Sequence, residues 1–346
     1  MGKDGNKTTI KDIARMANVS IGTVDRVIHR RGRVKLETEE RIRRIIKETG
    51  YIPDFFASQL SHNLRGTFGV IIPRPEQDSG YWSLCLEGLK NAEKDLEFYG
   101  VDVRYFFYNR YRIEHIREVI DEASASECSG FVIAPVVLDP FREAICTKRL
   151  TNAISFFDTE IPGISVISKI GQDSFRSGKL AGKLMSLVSS DSDLILIMEI
   201  SENDYHLQQR VEGFLAYFEE KKNREVVKLS SSDTDSPEEV KACLKRYLAD
   251  HPVPVGIFVP NSTTHLYATS CRALGLEGVR FVGYDNVPEN ISCLQEGLID
   301  FLISQRPDLQ GADALLNLFR ATMLHQSVPE RIVVPSDIIT LENIPD

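Results

Sequence analysis

Apolar residues fall at helical spacing over the first fifty positions and in short solid runs thereafter, and the change of pattern divides the chain. Ile10, Ile13, Ala14 and Ala17 share one face of a helix that Thr9 can cap and Asn18 ends. Ser20 can cap a second helix with Val24, Val27 and Ile28 on its inner face. A third, over Glu37–Thr49, turns Ile42, Ile45 and Ile46 inward and stops at Gly50. Two short helices joined by a tight turn and closed by a third form a helix-turn-helix. Its second helix carries Ile21, Gly22, Thr23, Asp25, Arg26 and His29 on or near its outer face.

Pro53 bars the third helix from continuing, and Asp54 can cap a short new one from Phe55 to about His62. Fewer than about 12 residues make a marginal helix in water, which suits an element that forms and melts. From Thr67 the pattern alternates. The runs "TFGVII", "DVRYFF", "GFVIAP", "AISFFD", "DLILIMEI", "PVGIFVP" and "VRFVGYD" read as strands separated by amphipathic helices. Repeated βα units imply parallel sheets covered on both faces. A break near Lys169–Asp173 splits them into two lobes, and open α/β sheets bind ligands beyond the carboxyl ends of their strands. The expected organisation is a small all-α head over 1–52, a hinge helix and linker over 53–66, and a two-lobed α/β body over 67–346. The first lobe spans about 67–170 plus 305–332, the second about 171–304 plus 333–346.

Charge sharpens this division. The net charge is −9, yet residues 1–66 hold fourteen Lys and Arg against eight Asp and Glu. A basic head on an acidic body suggests a module for a polyanion. The six cysteines are scattered without Cys-x-x-Cys, which points to reduced core thiols rather than disulfides or zinc. No apolar run reaches the roughly 20 residues of a membrane helix, and the first ten residues lack a signal-peptide core. A cytoplasmic, nucleoid-associated location is expected. Gly-x-Gly-x-x-Gly after the first strand, the P-loop, His-Glu-x-x-His and Gly-x-Ser-x-Gly are all missing, so no enzymatic activity, cofactor or metal is expected.

"TTIKDIARMANVSIGTVDRVIHRRGRV" followed by "ETGYIPDFFASQLS" resembles the amino-terminal end of the LacI/GalR family of bacterial transcription regulators. The resemblance is specific over the first 65 residues and looser beyond. It implies that Ile21 and Gly22 choose the operator and that Arg26 reads a base edge, an Arg fork matching guanine O6 and N7. It implies phosphate contacts for Thr9, Ser20 and Thr23, and added charge attraction from His29, Arg30 and Arg33. In the hinge, Leu60 matches a residue that wedges into the minor groove, and Ala57 the small residue where two hinge helices meet. The resemblance therefore implies a homodimer on a pseudo-palindromic double-stranded DNA operator. Two positions depart from the family. Asp25 stands where Ser is usual, either accepting from cytosine N4 or pairing within the module, and Lys35 replaces a Ser cap.

The body resembles the periplasmic sugar-binding-protein fold, in its ribose-binding-like branch. That resemblance implies a small polar effector, a sugar, sugar acid or polyol, held between the lobes and controlling a repressor allosterically. Carboxylates and amides take paired hydroxyls, and aromatic faces pack on sugar C–H surfaces. The candidate contacts are Tyr81, Trp82, Asp158, Asn261, Asp285 and Gln305, with Gln208 and nearby His206 where simple-sugar relatives place an Arg. An Asp or Asn at a strand end has an alternative use as the cap of the next helix. A non-sugar ligand, a protein partner and a solute receptor remain alternatives. The closing "LENIPD" shows no heptads, so a tetramer coil is not expected.

Overall fold

The computed structural model describes residues 10–28, 34–49, 66–97, 99–189, 194–199, 204–219, 225–230 and 236–344. The head and the body are two separate units, meeting in sequence at Leu64 and Arg65.

In the head, α1 (Ile10–Ala17) ends because Asn18 takes a left-handed φ of 50°. Asn tolerates that conformation better than most residues, and its turn lets Val19 N–H reach back to Ala14 O at 3.0 Å. Helix α2 (Ile21–Ile28) begins where Ser20 Oγ accepts from Thr23 N–H at 3.2 Å. Helix α3 (Leu36–Thr49) closes the core. Ile13, Ala14, Ala17, Val24, Val27 and Ile42 are buried together, with Ile45 and Ile46 packed against them. Apolar spacing alone had assigned these residues. The expected hinge helix lies outside the described residues.

Among the described residues the body contains two six-stranded sheets. The first holds β1 (Gly66–Pro73), β2 (Val101–Tyr108), β3 (Gly130–Ile133), β4 (Ala153–Phe157), β5 (Ser168–Gly171) and β11 (Arg331–Val333), all parallel, in the order β2–β1–β3–β4–β5–β11. The second holds β6 (Ile195–Glu199), β7 (Val226–Ser230), β8 (Gly256–Phe258), β9 (Arg280–Tyr284), β10 (Phe301–Ser304) and β12 (Asp337–Ile339), in the order β7–β6–β8–β9–β10–β12. Only its edge strand β12 is antiparallel, with Leu302 opposite Ile339. The sheets repeat one strand order, so each strand of one lobe has a counterpart in the other.

Each sheet is apolar on both faces, as parallel sheets require. Val70 and Ile72 pack under α4 (Tyr81–Glu97) and α12 (Pro307–Thr322), whereas Ile71 between them joins the core under α5 (Ile113–Ser124) and α6 (Leu138–Cys146). The second sheet alternates in the same way. Leu196 and Met198 face α9 (Pro237–Asp250), α10 (Thr264–Ala273) and α11 (Pro288–Gln295); Ile195 and Ile197 face α7 (Ser174–Val188) and α8 (Tyr205–Glu219).

The chain crosses between lobes three times, at 172–173, at 305–306 and at 334–336. Because β11 keeps Val333 in the first sheet, the last crossing comes slightly later than the strand pattern had put it, after 332. In each lobe the helix that follows a crossing lies hard against the helix that follows that sheet's first strand. A Cβ on Gly88 would stand 1.8 Å from Asp308 O, between α4 and α12; one on Gly178 would stand 2.0 Å from Arg210 O, between α7 and α8. Gly178→Ala must therefore push α7 and α8 apart. It should lower stability by about 1–3 kcal/mol, read as a reduced urea midpoint by circular dichroism.

Candidate functional site

The carboxyl ends of the two sheets' strands face one another across the cleft, and buried polar side chains gather between them. Asp158 follows β4 and Asp285 follows its counterpart β9. Both take a φ of 67°, and both are almost completely buried. The left-handed turn after each strand is one that Asp accepts at modest cost, and it leaves a carboxylate at the strand end. Tyr81, the first residue of α4, donates from its hydroxyl to Asp158 Oδ1 at 2.6 Å. Burial, then the charge of Asp158, pushes the Tyr81 phenol well above its usual pKa, so it stays a donor.

On the second lobe, Gln305 Nε2 donates to Asp285 Oδ1 at 3.1 Å. Arg210 Nη2 donates to Gln305 Oε1 at 2.8 Å and Nη1 to Pro260 O at 2.7 Å, while the guanidinium stacks 3.9 Å above the Tyr284 ring. Burial raises the Asp285 carboxyl to about 7, against the opposing pull of Arg210.

A charged chain ties the lobes together at the other end of the cleft. Arg110, just past β2, donates from Nη1 to Asp78 Oδ2 at 2.6 Å and from Nη2 to Asp204 Oδ2 at 2.7 Å. Asp78 and Arg110 belong to the first lobe and Asp204, just before α8, to the second; the three side chains are 6, 5 and 1% exposed. Asp78 Oδ2 also accepts from Trp82 Nε1 at 2.6 Å. His206 Nδ1 stands 2.6 Å from Asp204 Oδ1 and 4.0 Å from Asp158 Oδ2. Burial alone would raise Asp204, but His206 and Arg110 outweigh it and hold the carboxyl at about 2. Ser262 Oγ adds a further link between lobes, donating to Asp78 O at 2.6 Å.

Six of the eight sequence candidates for ligand contact thus converge: Tyr81, Trp82, His206, Asn261, Asp285 and Gln305 line one narrow space with Arg110 and Arg210. Asp158, a seventh, is held against that space by Tyr81. Trp82 is fully buried, its ring edge-on to Tyr81 and Phe157, so it is a wall rather than an open stacking face. Asn261 serves its own loop as well. Its Oδ1 accepts from Thr263 N–H and Oγ1, closing the turn that leads into α10 and leaving the amide N–H groups for the cleft.

Gln208 is the correction. It is exposed on α8, away from the residues that converge, because one residue of helix turns a side chain by about 100° and His206 and Arg210 already take the inner face. Arg210, which the sequence analysis did not single out, is buried in the cleft. Asp78, Arg110 and Asp204 were also missed. Each sits just past a strand of its sheet, so the strand-end rule applied to every strand would have found them.

In the head, Ile21 and Gly22 are exposed at the start of α2, with Thr23 half-buried beside them and Ser20 exposed at the cap. Asp25 and Arg26 lie farther along the same helix. Thr9, His29, Arg30, Arg33, Ala57 and Leu60 lie outside the described residues.

Comparison with known proteins matches both units. Residues 9–54 fit the model of the bacterial regulatory proteins of the lacI family, and residues 68–323 that of the periplasmic binding protein domain. The chain belongs to the lacI family of DNA-binding transcription regulators, with a periplasmic-binding-protein body. This lacI-family chain is 27% identical over 289 residues to the ribose operon repressor of Halalkalibacterium halodurans, covering 81% of each protein. It is 26% identical over 295 residues to the transcriptional repressor PurR of Haemophilus influenzae, again covering 81% of each. Among solved structures, the body resembles GanP, a glucose-galactose binding protein from Geobacillus stearothermophilus, with TM-score 0.73 and 22% identity over 81% of this chain and 99% of that one. A carbohydrate transporter solute binding protein from Agrobacterium radiobacter, in complex with D-arabinose, gives TM-score 0.71 and 20% identity over 82% and 97%. No helix among the described residues is long and apolar enough to cross a membrane.

Two outcomes follow from the electrostatics. Arg110→Met leaves Asp78 and Asp204 buried without their shared cation and should cost about 3–5 kcal/mol in urea unfolding at pH 7. Asp285 folds with its pKa raised from 3.8 to about 7, so its contribution is full below pH 4 and is lost as pH rises through 7. Asp285→Asn should flatten the fall in unfolding free energy across pH 4–7, measured from urea midpoints without ligand.

Proposed function

We propose that this regulator is a homodimeric repressor whose two-lobed body binds a small neutral polyhydroxylated effector and, through cleft closure, sets how a pair of amino-terminal heads grips a pseudo-palindromic operator. The observation that carries the reading is the meeting of Tyr81–Asp158 from one lobe with Asp285–Gln305–Arg210 from the other, on a chain that also bears a lacI head. Carboxylates, an amide and a phenol held in the gap between two lobes suit paired sugar hydroxyls, which donate and accept at once. An effector that touches both lobes stabilises one closure angle, and effector and operator must each change the other's affinity by the same factor.

The ion pairs narrow the ligand class. Arg110 is taken up by Asp78 and Asp204, and both terminal nitrogens of Arg210 are held by Pro260 O and Gln305 Oε1. A carboxylate or phosphate on the effector would meet acids whose cations are already engaged, which favours a neutral sugar or polyol over a sugar acid. Location in the cytoplasm follows from the operator as partner, and transcriptional control rather than turnover is the activity.

The DNA half of this reading rests on α2. Arg26→Ala should lose about 1–3 kcal/mol of operator affinity and relax one base preference in fluorescence anisotropy over an inverted-repeat library. An equal loss on every sequence would leave Arg26 a phosphate contact only. The effector half rests on the facing carboxylates. Asp158→Ala and Asp285→Ala should each abolish sugar-induced thermal stabilisation while keeping operator affinity, and a retained thermal response in both would move the effector elsewhere.

A further inference from the structure

The cleft uses the first lobe's strand ends from β2 as far as β4, but the row continues over β5 and β11, and there a second concavity opens beside it. Asp158 and His206 line it from the cleft side. Its far wall comes from elements the main site leaves aside: Gln172 at the first crossing, Phe175 on the first turn of α7, and Tyr205 and Gln209 on the first turns of α8.

Three features suit a carbohydrate here. First, two buried acceptors are unsatisfied. Gln172 is 8% exposed and donates from Nε2 to Ser336 Oγ at 2.7 Å, but its Oε1 accepts no hydrogen bond among the described residues; nor does Asp158 Oδ2. A buried polar atom without a partner costs about 1–3 kcal/mol, and since both atoms are closed to water as they stand, a ligand hydroxyl relieves that cost once the side chains around them turn. Second, Phe175 is one of the exposed large apolar side chains of the body, at 36%, and it stands on this wall. An aromatic surface open to solvent beside amides is the combination that packs a sugar's C–H face while its hydroxyls bond outward. Third, the wall is rigid where it matters. Phase between α7 and α8 is locked by Gly213, whose Cβ would stand 2.0 Å from Phe175 O, so the backbone that carries the aromatic is fixed against α8. At the rim, Lys169 and Arg331 share the single carboxylate of Glu160 at 3.6 and 3.5 Å.

We propose that this lateral pocket is a second saccharide subsite, and that the effector is a disaccharide-sized glycoside with one ring between the lobes and the next beside Phe175 and Gln172. The proposal rests on the carbohydrate reading given above and adds the length of the ligand. Asp158 and His206 stand at the boundary between the two subsites, where the glycosidic linkage passes.

The test uses the full chain and calorimetric titration with glucose, galactose and xylose against maltose, cellobiose, lactose and xylobiose. At least one disaccharide should bind tenfold or more tightly than its constituent monosaccharide. Phe175→Ala, a substitution on the surface, should remove that gain and leave monosaccharide affinity within twofold. Gln172→Ala should do the same, with its melting temperature checked against the parent chain. Monosaccharides that bind while disaccharides gain nothing overturn the second subsite and spare the carbohydrate reading. A disaccharide gain that survives in both variants overturns the placement of the subsite. A parent chain that binds none of the seven sugars overturns the carbohydrate reading itself, and the subsite with it.

Discussion

Parallel sheets buried on both faces leave a protein few places to put polar chemistry. Val70, Ile71 and Ile72 are consecutive and all fully buried, on alternating sides, so β1 offers nothing to a ligand along its length. What remains is the strand ends, where the backbone leaves the sheet and a side chain need not face a helix. Opposing two such sheets end to end places every spare carboxylate, amide and guanidinium in one gap. Asp158 and Asp285, Tyr81 and Gln305, and Arg110 and Asp204 all owe their positions to that constraint rather than to any local motif.

Such crowding has an electrostatic price that the two ends of the gap meet differently. At one end, Arg110 lies between acids from both lobes, and Asp204 stays ionised at about 2. Here the desolvated charges compensate each other, which makes the set costly to break yet not strongly stabilising as a whole. At the other end, Asp285 has only part of a guanidinium to itself and is pushed to about 7. One end is therefore a fixed clasp between the lobes, and the other keeps a carboxylate that gains from any donor brought to it.

How much of this was legible in the sequence depended on distance along the chain. The head was readable residue by residue, since Ile13, Ala17, Val24, Val27 and Ile42 are core positions for reasons of helical spacing alone. Seven of the twelve strands were equally plain, and with them the aspartates that end β4 and β9; β5, β7, β10, β11 and β12, each only three to five residues long, were not read as strands. Gln208 failed because a family position was transferred without the helix phase that His206 and Arg210 impose. Asn261 was read with two uses; its oxygen is spent on Thr263 while the residue still lines the cleft. Arg110 and Asp204 could each have been found as strand-end residues, but their pairing was out of reach, because the partners are 94 residues apart and follow strands of different sheets. Nothing local in "YNRYR" or "ENDYH" records that the two loops meet.

The three crossings have a consequence for how the molecule is made. The first five strands emerge from the ribosome as one contiguous lobe, yet α12, which covers one face of their sheet, and β11, which closes its edge, are translated only after the second sheet's five parallel strands. The second sheet waits longer still for β12. Neither half is finished until the tail arrives, so a nascent chain must carry an open sheet edge and an uncovered apolar face while the second sheet's five parallel strands are made. Long-range closure of this kind slows folding and leaves exposed, for the time it takes, the surfaces through which chains aggregate.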